Sequence, residues 1–306
     1  MTLPRIRGFL TLSEYLKLYE GGNAVEARPM SQTETKEVYD YVQKNVFPKL
    51  GLSGEGIDAA VIGSFGKKNP DQTSGDIDVA VSADVIAAKN DLTFEQVLDF
   101  VYNTMKSEGY ETAIARGFNQ VSISVNIPGT KDFGQVDLML STNLDWSRFI
   151  YHSPDFTKAE SKYKGAYRNI LLMGIISESK REVEKTTDKG ETEEYSQYAV
   201  RMESGVYKVQ KSFLGKKGGL VKTAKLLHEY DKFITNTPEV VVELAFGKGV
   251  VPADVMTFES AWSKFMSNDF PYKEKRDAIV KRFYAGIRGR FPIPEEAEKA
   301  FPNIFN

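Results

Sequence analysis

Hydrophobic and polar positions alternate along several short stretches in the first half of the chain. In Gly75–Val81 apolar side chains alternate with small or acidic ones, which is typical of a strand with one buried face. The run Asp58–Gly63 is almost entirely apolar and ends in glycine, as expected of a buried strand. Three further strands are predicted at Tyr110–Ala115, Val121–Val125 and Gly134–Leu140.

Helical periodicity precedes and separates these strands. Helices are predicted at Leu12–Tyr19, Ser31–Val46 and Thr93–Ser107, each with a serine or threonine able to cap its first turn. Two strands precede the third helix and three follow it. This order indicates a layered α/β core with mixed strand pairing.

The second half of the chain is predicted to be mainly helical. One long helix runs from Phe156 to about Ser179, and the charged stretch Ser177–Glu194 has the composition of a solvent-exposed loop. Two strand-like runs joined by a glycine-containing turn predict a β-hairpin at about residues 194–213. Four more helices are predicted, at Leu220–Ile234, Pro238–Phe246, Ala253–Met266 and Lys273–Gly286.

These elements predict an α/β (α+β) protein, and a length of 306 residues fits two domains. Residues 1–30 are predicted to form a helical leader. Residues 31–150 form a small mixed-sheet domain that carries the chemistry, and residues 151–306 form a mainly helical domain with the inserted hairpin.

The amino-acid composition excludes several kinds of functional site. The chain has no cysteine and two histidines, His152 and His228, which excludes disulfides, thiolate sites and a three-histidine zinc site. No apolar stretch approaches the roughly 20 residues that span a bilayer, and the N-terminus lacks a secretory signal pattern. We therefore expect a cytoplasmic protein without membrane contact, whose chemistry rests on carboxylates, hydroxyls and amines.

Three acidic residues stand out against apolar neighbours. Asp76 and Asp78 are two apart on a predicted strand, so their side chains point to the same face. Asp137 lies in the middle of another apolar strand, where an unpaired charge is costly. Carboxylates that bridge two Mg²⁺ ions about 3.5–4 Å apart can clamp the attacking and leaving oxygens of a phosphoryl displacement. We predict such a site, with Mn²⁺ able to replace Mg²⁺.

A glycine-containing turn precedes the acidic pair. Gly63 and Ser64 close a predicted strand, where glycine lets phosphate approach the backbone and serine adds a donor. Lys67 and Lys68 add positive charge in the same loop. This turn is predicted to hold the phosphates of a nucleotide.

These motifs resemble the polymerase-beta-like nucleotidyltransferase superfamily. Its pattern is a hydrophobic residue, Gly-Ser, a spacer and then Asp-x-Asp between apolar residues, followed later by a third acid; here eleven residues separate Ser64 from Asp76. The segments around Gly63 and Gly75–Val79 look most like the palm of the DNA polymerase X branch. The resemblance covers roughly residues 57–170.

The resemblance implies transfer of a nucleoside monophosphate from an NTP or dNTP to a hydroxyl group, with release of pyrophosphate. Asp76 and Asp78 would bind both metal ions, and Asp137 would bind the catalytic ion and help to activate the acceptor. The residues implied to hold the nucleotide are Gly63, Ser64, Ser74, Gly75 and Tyr151, with His152 beside Tyr151.

The identity of the acceptor is open at this stage. A nucleic-acid 3′ end is favoured by the polymerase resemblance and by 26 basic against 22 acidic residues in 151–306, compared with 14 against 20 in 1–150. Ordinary solvated helix faces explain so small an excess equally well. The alternatives are a small-molecule or protein hydroxyl, and a non-catalytic scaffold that keeps the fold. The segment Glu20–Ala24 resembles stand-alone members encoded by tailed phages, which would place the protein in the host cytoplasm.

Overall fold

The computed structural model describes residues 24–179, 181–186, 192–214 and 225–305, which form two compact units divided between Lys162 and Tyr163. The sequence predicts a division near residue 150. The predicted leader helix at residues 12–19 lies outside the described residues, as does the phage-like segment apart from Ala24. The functional assignment of the two halves stays a prediction.

Helices and strands alternate in the first unit, as the sequence predicted. In chain order the elements are α1 (Gln32–Asn45), β1 (Ala59–Val61), β2 (Asp76–Ser82), α2 (Ala83–Asn90), α3 (Phe94–Ser107), β3 (Thr112–Ala115), β4 (Gln120–Asn126), β5 (Phe133–Ser141) and α4 (Leu144–Ile150). Helices α2 and α4 were not predicted from the sequence. Both are short helices whose first turns are capped by polar side chains, Ser82 and Asn143.

The five strands form one mixed sheet in the order β1-β2-β5-β4-β3. The central strands β2 and β5 run parallel, and the other neighbouring pairs are antiparallel. The predicted class, α/β with a small mixed sheet, is therefore confirmed. The parallel pair brings together two sequence segments that carry the candidate acids.

The two faces of this sheet differ in character. Apolar residues such as Ile77, Val79 and Val136 join the inward faces of α1 and α3 in one buried core. The acidic residues of β2 and β5 lie at the alternate positions and so occupy the opposite face. Helix α1 begins where predicted, since Ser31 and Glu34 form a reciprocal capping box.

The second unit combines helices with a four-stranded antiparallel sheet of order β6-β7-β8-β9. Its elements are α5 (Gly165–Ser179), β6 (Glu182–Thr186), β7 (Thr192–Arg201), β8 (Gly205–Leu214), β9 (Lys225–Thr235), α6 (Pro238–Phe246), α7 (Phe258–Met266), α8 (Arg276–Ile287), α9 (Glu295–Ala300) and α10 (Pro302–Phe305). Strands β7 and β8 form the predicted hairpin.

Three predictions for this unit were wrong. The helix predicted over residues 220–234 is strand β9 where it is described, because pairing with β8 overrides the local helix preference. Glycine at position 205 permits the close approach of these strands, since a Cβ there would lie 2.5 Å from the carbonyl oxygen of Thr235. The stretch predicted as a loop from Ser177 contains the end of α5 and strand β6, and the long helix starts at Gly165 rather than Phe156.

The helices of the second unit are held by an aromatic core. Phe258 stacks on Phe283 with ring centroids 5.5 Å apart, and Trp262 packs against Phe265 at 5.2 Å. Burial of such side chains stabilises helix packing through area and through ring geometry. Within the part of the chain that the structure describes, no helix has the length and apolar character needed to cross a membrane.

Candidate active site

Three aspartates lie together on the polar face of the first sheet. Asp76 and Asp78 are on β2, and Asp137 lies directly opposite Asp78 on β5. Each offers one carboxylate oxygen, and these oxygens lie within 4.8 Å of one another. Asp76 and Asp78 are half-buried, and Asp137 is 5% exposed. The structure therefore brings the three predicted acids into one cluster, which we call the carboxylate triad.

Burial and mutual repulsion make the charged form of the triad costly. Burial raises the pKa of Asp76, and the charge of Lys68 opposes this. Burial, together with the charges of Asp76 and Asp137, raises the pKa of Asp78 well above its usual range. Burial and the charge of Asp76 raise the pKa of Asp137 to about 7. A bound cation would relieve this repulsion.

The raised pKa of Asp137 predicts a pH dependence for the metal-free protein. The folded state holds this proton up to about pH 7, whereas the unfolded state loses it near 3.8. The proton on Asp137 therefore stabilises the folded state fully at pH values below 3.8, the pKa in the unfolded state. This stabilisation is lost as the pH rises through 7, the pKa in the folded state. Relative to Asp137→Asn, wild type should lose on the order of a few kcal/mol between these limits.

Thermal unfolding of both proteins in a chelator, over a series of pH values, measures this difference. The asparagine variant should be the more stable protein above neutral pH, and its advantage should shrink as the pH falls. A difference in unfolding temperature that does not vary with pH would contradict the prediction.

A tight turn before the triad makes direct contact with it. Gly63 has φ of +66°, and a Cβ at this position would lie 2.6 Å from Oδ2 of Asp78. The N–H of Ile62 donates to the carbonyl oxygen of Asp78 at 3.0 Å, which fixes the turn against β2. Phe65 continues the turn and packs on Tyr39 of α1, with ring centroids 5.2 Å apart. Glycine is thus required here for both conformation and space.

The same turn is tied to the segment that follows α4. The N–H of Gly63 donates to the carbonyl oxygen of Tyr151 at 3.1 Å, and the N–H of Phe156 donates to the carbonyl oxygen of Lys67 at 2.9 Å.

The two lysines of the turn have different surroundings. The ammonium group of Lys67 donates to the carbonyl oxygen of Ser153 at 2.9 Å, and burial lowers the pKa of Lys67. Lys67 therefore braces the turn, while the charge of Lys68 acts on Asp76 and Asp78.

The remaining predicted nucleotide-binding residues surround this turn. Ser64 is half-buried, and its carbonyl oxygen accepts the N–H of Lys67 at 3.1 Å. Ser74 is 2% exposed and forms a two-way backbone bridge with Met30. Gly75 is half-buried and directly precedes the triad. Their nucleotide-binding roles stay predictions.

Tyr151 lies beside the turn but packs partly as a core residue. Its side chain contacts a small buried cluster formed by Ile62, Ala80 and Met139 on the triad face of the sheet. His152, the next residue, pairs with Gly63 in a parallel bridge. The resemblance implies that both residues lie near the sugar and base of the incoming nucleotide, and that role stays a prediction.

Sequence reasoning missed the polar side chains around Asp137. Gln135 donates its Nε2 hydrogen to Oδ1 of Asp137 at 3.0 Å. Ser122, Gln135 and Gln120 all lower the pKa of this carboxyl group, against the effect of burial. Gln120 further donates to the hydroxyl of Ser122 at 3.1 Å. The sequence does contain a sign of these side chains, because polar residues recur at every second position of Gln120–Asn126. This period is typical of a strand with one polar face.

The comparisons with known proteins found similarity in solved structures alone. No family profile and no curated protein matched the sequence. The RNA terminal uridylyl transferase Cid1 is 16% identical, with 54% of this chain and 43% of that chain covered and a TM-score of 0.27. A cytoplasmic RNA terminal U-transferase is 13% identical over 55% and 47%, with a TM-score of 0.26.

A further solved structure, the Cid1 poly(U) polymerase bound to MgATP, is 15% identical, covers 54% of this chain and 46% of that chain, and has a TM-score of 0.28. The chain spans less than half the length of these proteins. At TM-scores this low, the similarity does not bear on function.

The donor set of the triad fits a divalent cation. Carboxylate oxygens are the ligands that Mg²⁺ prefers in proteins. The charge of Lys68 acts on Asp76 and Asp78 but does not outweigh burial, since the pKa of both carboxyl groups stays raised. The convergence of the three acids at 4.8 Å is costly without a cation and favourable with one.

Proposed function

We propose that the first unit is a metal-dependent nucleotidyltransferase that moves a nucleoside monophosphate from an NTP or dNTP to a hydroxyl group and releases pyrophosphate. The observation that carries the proposal is the convergence of Asp76, Asp78 and Asp137 within 4.8 Å, on adjacent parallel strands, directly beside the glycine turn. Carboxylate clusters of this kind hold the metal ions of in-line phosphoryl displacements, and the tight turn beside this one gives a phosphate group room to approach.

The triad would hold two Mg²⁺ ions, or Mn²⁺ in their place. When bound, these ions would neutralise the charge that develops on the attacking and leaving oxygens of an in-line displacement. Asp76 and Asp78 would each face both ions. Asp137 would face the catalytic ion, and one of its carboxylate oxygens would receive the proton of the acceptor hydroxyl.

The residues of the turn would position the triphosphate. The N–H of Gly63 already donates to Tyr151, so this glycine contributes space rather than a donor. The hydroxyl of Ser64 would supply a hydrogen bond, and Ser74 and Gly75 would line the entry to β2. Lys67 holds the turn in place through its hydrogen bond to the carbonyl oxygen of Ser153. The positive charge that acts on the acidic pair comes from Lys68. Catalysis then rests on orientation and fixed charge.

For the acceptor we propose a nucleic-acid 3′ end. The sequence resemblance to polymerases and the excess of basic residues in 151–306 support this choice. The affinity for a nucleic-acid acceptor would fall steeply as the salt concentration rises, whereas the affinity for a small-molecule acceptor would not. A small-molecule or protein hydroxyl, and a scaffold without turnover, are the other outcomes of the test below.

The test incubates the protein with Mg²⁺, each labelled NTP and dNTP in turn, and a pool of single-stranded, primed and structured RNA and DNA acceptors. Pyrophosphate release and label transfer are measured for wild type and for the double variant Asp76→Ala/Asp78→Ala. Label on an oligonucleotide with wild type alone supports the full proposal. Pyrophosphate without labelled oligonucleotide redirects the acceptor to small molecules or proteins, and no difference between the two proteins overturns the enzymatic role.

A further inference from the structure

Gln135 connects the triad to the segment that precedes α1. Its side chain is 2% exposed and uses both ends of the amide. Nε2 donates to Oδ1 of Asp137 at 3.0 Å, and Oε1 accepts the N–H of Ala24 at 3.1 Å. Only the nitrogen can donate to a carboxylate, and only the oxygen can accept from a backbone N–H. The two partners therefore fix one orientation of the amide.

The segment that holds the far end of Gln135 is itself anchored to the sheet. The hydroxyl of Ser124 donates to the carbonyl oxygen of Glu26 at 2.7 Å, and the N–H of Arg28 donates to that of Phe133 at 2.9 Å. Rotation of the Gln135 amide would thus cost two hydrogen bonds, a buried one to Asp137 and a partly buried one from Ala24. Buried polar groups with every partner in place are rigid.

We propose that Gln135 is a positioning residue for Asp137. By occupying Oδ1, it sets the plane of the carboxylate and directs the second oxygen towards Asp76 and Asp78. This inference rests on the proposed function and deepens it, because it identifies what aligns the third acid of the triad. Hydrogen-bond partners behind metal ligands orient them in the same way at other metal sites.

Two substitutions separate this role from simple packing. Gln135→Met keeps the length of the side chain and removes both hydrogen bonds. Gln135→Glu keeps the acceptor for Ala24 and removes the donor to Asp137, so it also serves if the methionine variant folds poorly. Ser124→Ala is the matched control, because it removes a neighbouring, partly buried hydrogen bond to the same segment without touching Asp137.

The readouts are kcat and KM for the nucleotide, Mn²⁺ affinity by electron paramagnetic resonance, and the unfolding temperature. Both Gln135 variants should lower kcat about 10- to 100-fold with KM changed less than about threefold, and Gln135→Met should weaken Mn²⁺ binding about tenfold. Ser124→Ala should leave kcat and Mn²⁺ affinity unchanged.

The inference is overturned if kcat and Mn²⁺ affinity of the Gln135 variants stay within about threefold of wild type, or if Ser124→Ala loses as much as they do. If wild type transfers no nucleotide but binds Mn²⁺ through the triad, the proposed function fails and the Mn²⁺ affinity of Gln135→Met alone decides the inference. If the wild-type protein shows no Mn²⁺ binding that depends on the triad, both the proposed function and the inference on Gln135 are overturned.

Discussion

Replacing Asp78 with asparagine is expected to lower nucleotide transfer by about a thousandfold or more and, at the same time, to stabilise the metal-free protein. Asp78 is the central member of the triad, since it lies opposite Asp137 on β5 and two residues from Asp76 on β2. An amide keeps the shape of the side chain but loses the charge that would hold the cation. Activity should therefore be lost without loss of the fold.

The expected gain in stability has the same cause as the loss of activity. Burial and the charges of Asp76 and Asp137 raise the pKa of Asp78, which means that its ionised form is disfavoured in the folded protein. A neutral amide removes this repulsion and should stabilise the metal-free protein above neutral pH. Sites that concentrate like charges for function commonly cost stability.

Transfer assays and urea unfolding of Asp78→Asn measure the two effects. The matched control is Asp71→Asn, an exposed carboxylate in the loop before β2. This control should change neither quantity. Full activity in Asp78→Asn, or a loss of stability as large as that of a core substitution, would show that the aspartate has a structural role instead.

The chemistry-bearing residues could be predicted because strand geometry is local. A two-residue period places Asp76 and Asp78 on one face whatever the strand pairs with. The expectation that Asp137 joins them came from an acid in an apolar strand and from the family resemblance. That expectation holds only if β2 and β5 are neighbouring strands. In the structure they pair in parallel, with Asp78 opposite Asp137.

The sequence could not reveal contacts that depend on long-range register. Gln135 is linked to Ala24, which is far away in the chain. The role of Lys67 depends on the carbonyl oxygen of Ser153, which is equally remote in the sequence. Strand β9 was predicted as a helix for the same reason, because its strand conformation comes from pairing with β8. Local propensity decides little where a neighbouring strand supplies the hydrogen bonds.

Replacing Gly63 with alanine is expected to lower transfer about a hundredfold, whereas the same change at Gly66 should leave transfer nearly unchanged. Both glycines have positive φ, +66° and +67°, and both belong to one turn. Each substitution should therefore cost about 1 kcal/mol of stability through backbone strain alone. The pair separates this backbone cost from contact with the triad.

The surroundings of the two glycines differ in one decisive respect. A Cβ at Gly63 would lie 2.6 Å from Oδ2 of Asp78, while a Cβ at Gly66 would meet nothing within 4 Å. Alanine at 63 must push the carboxylate of Asp78 aside, and displacement of a reacting group by about 1 Å can cost a hundredfold in rate. Transfer assays and unfolding midpoints of both variants test this. Equal activity in the two would mean that Oδ2 of Asp78 does not have to stay in place for transfer, and the triad would then have to act through its other oxygens.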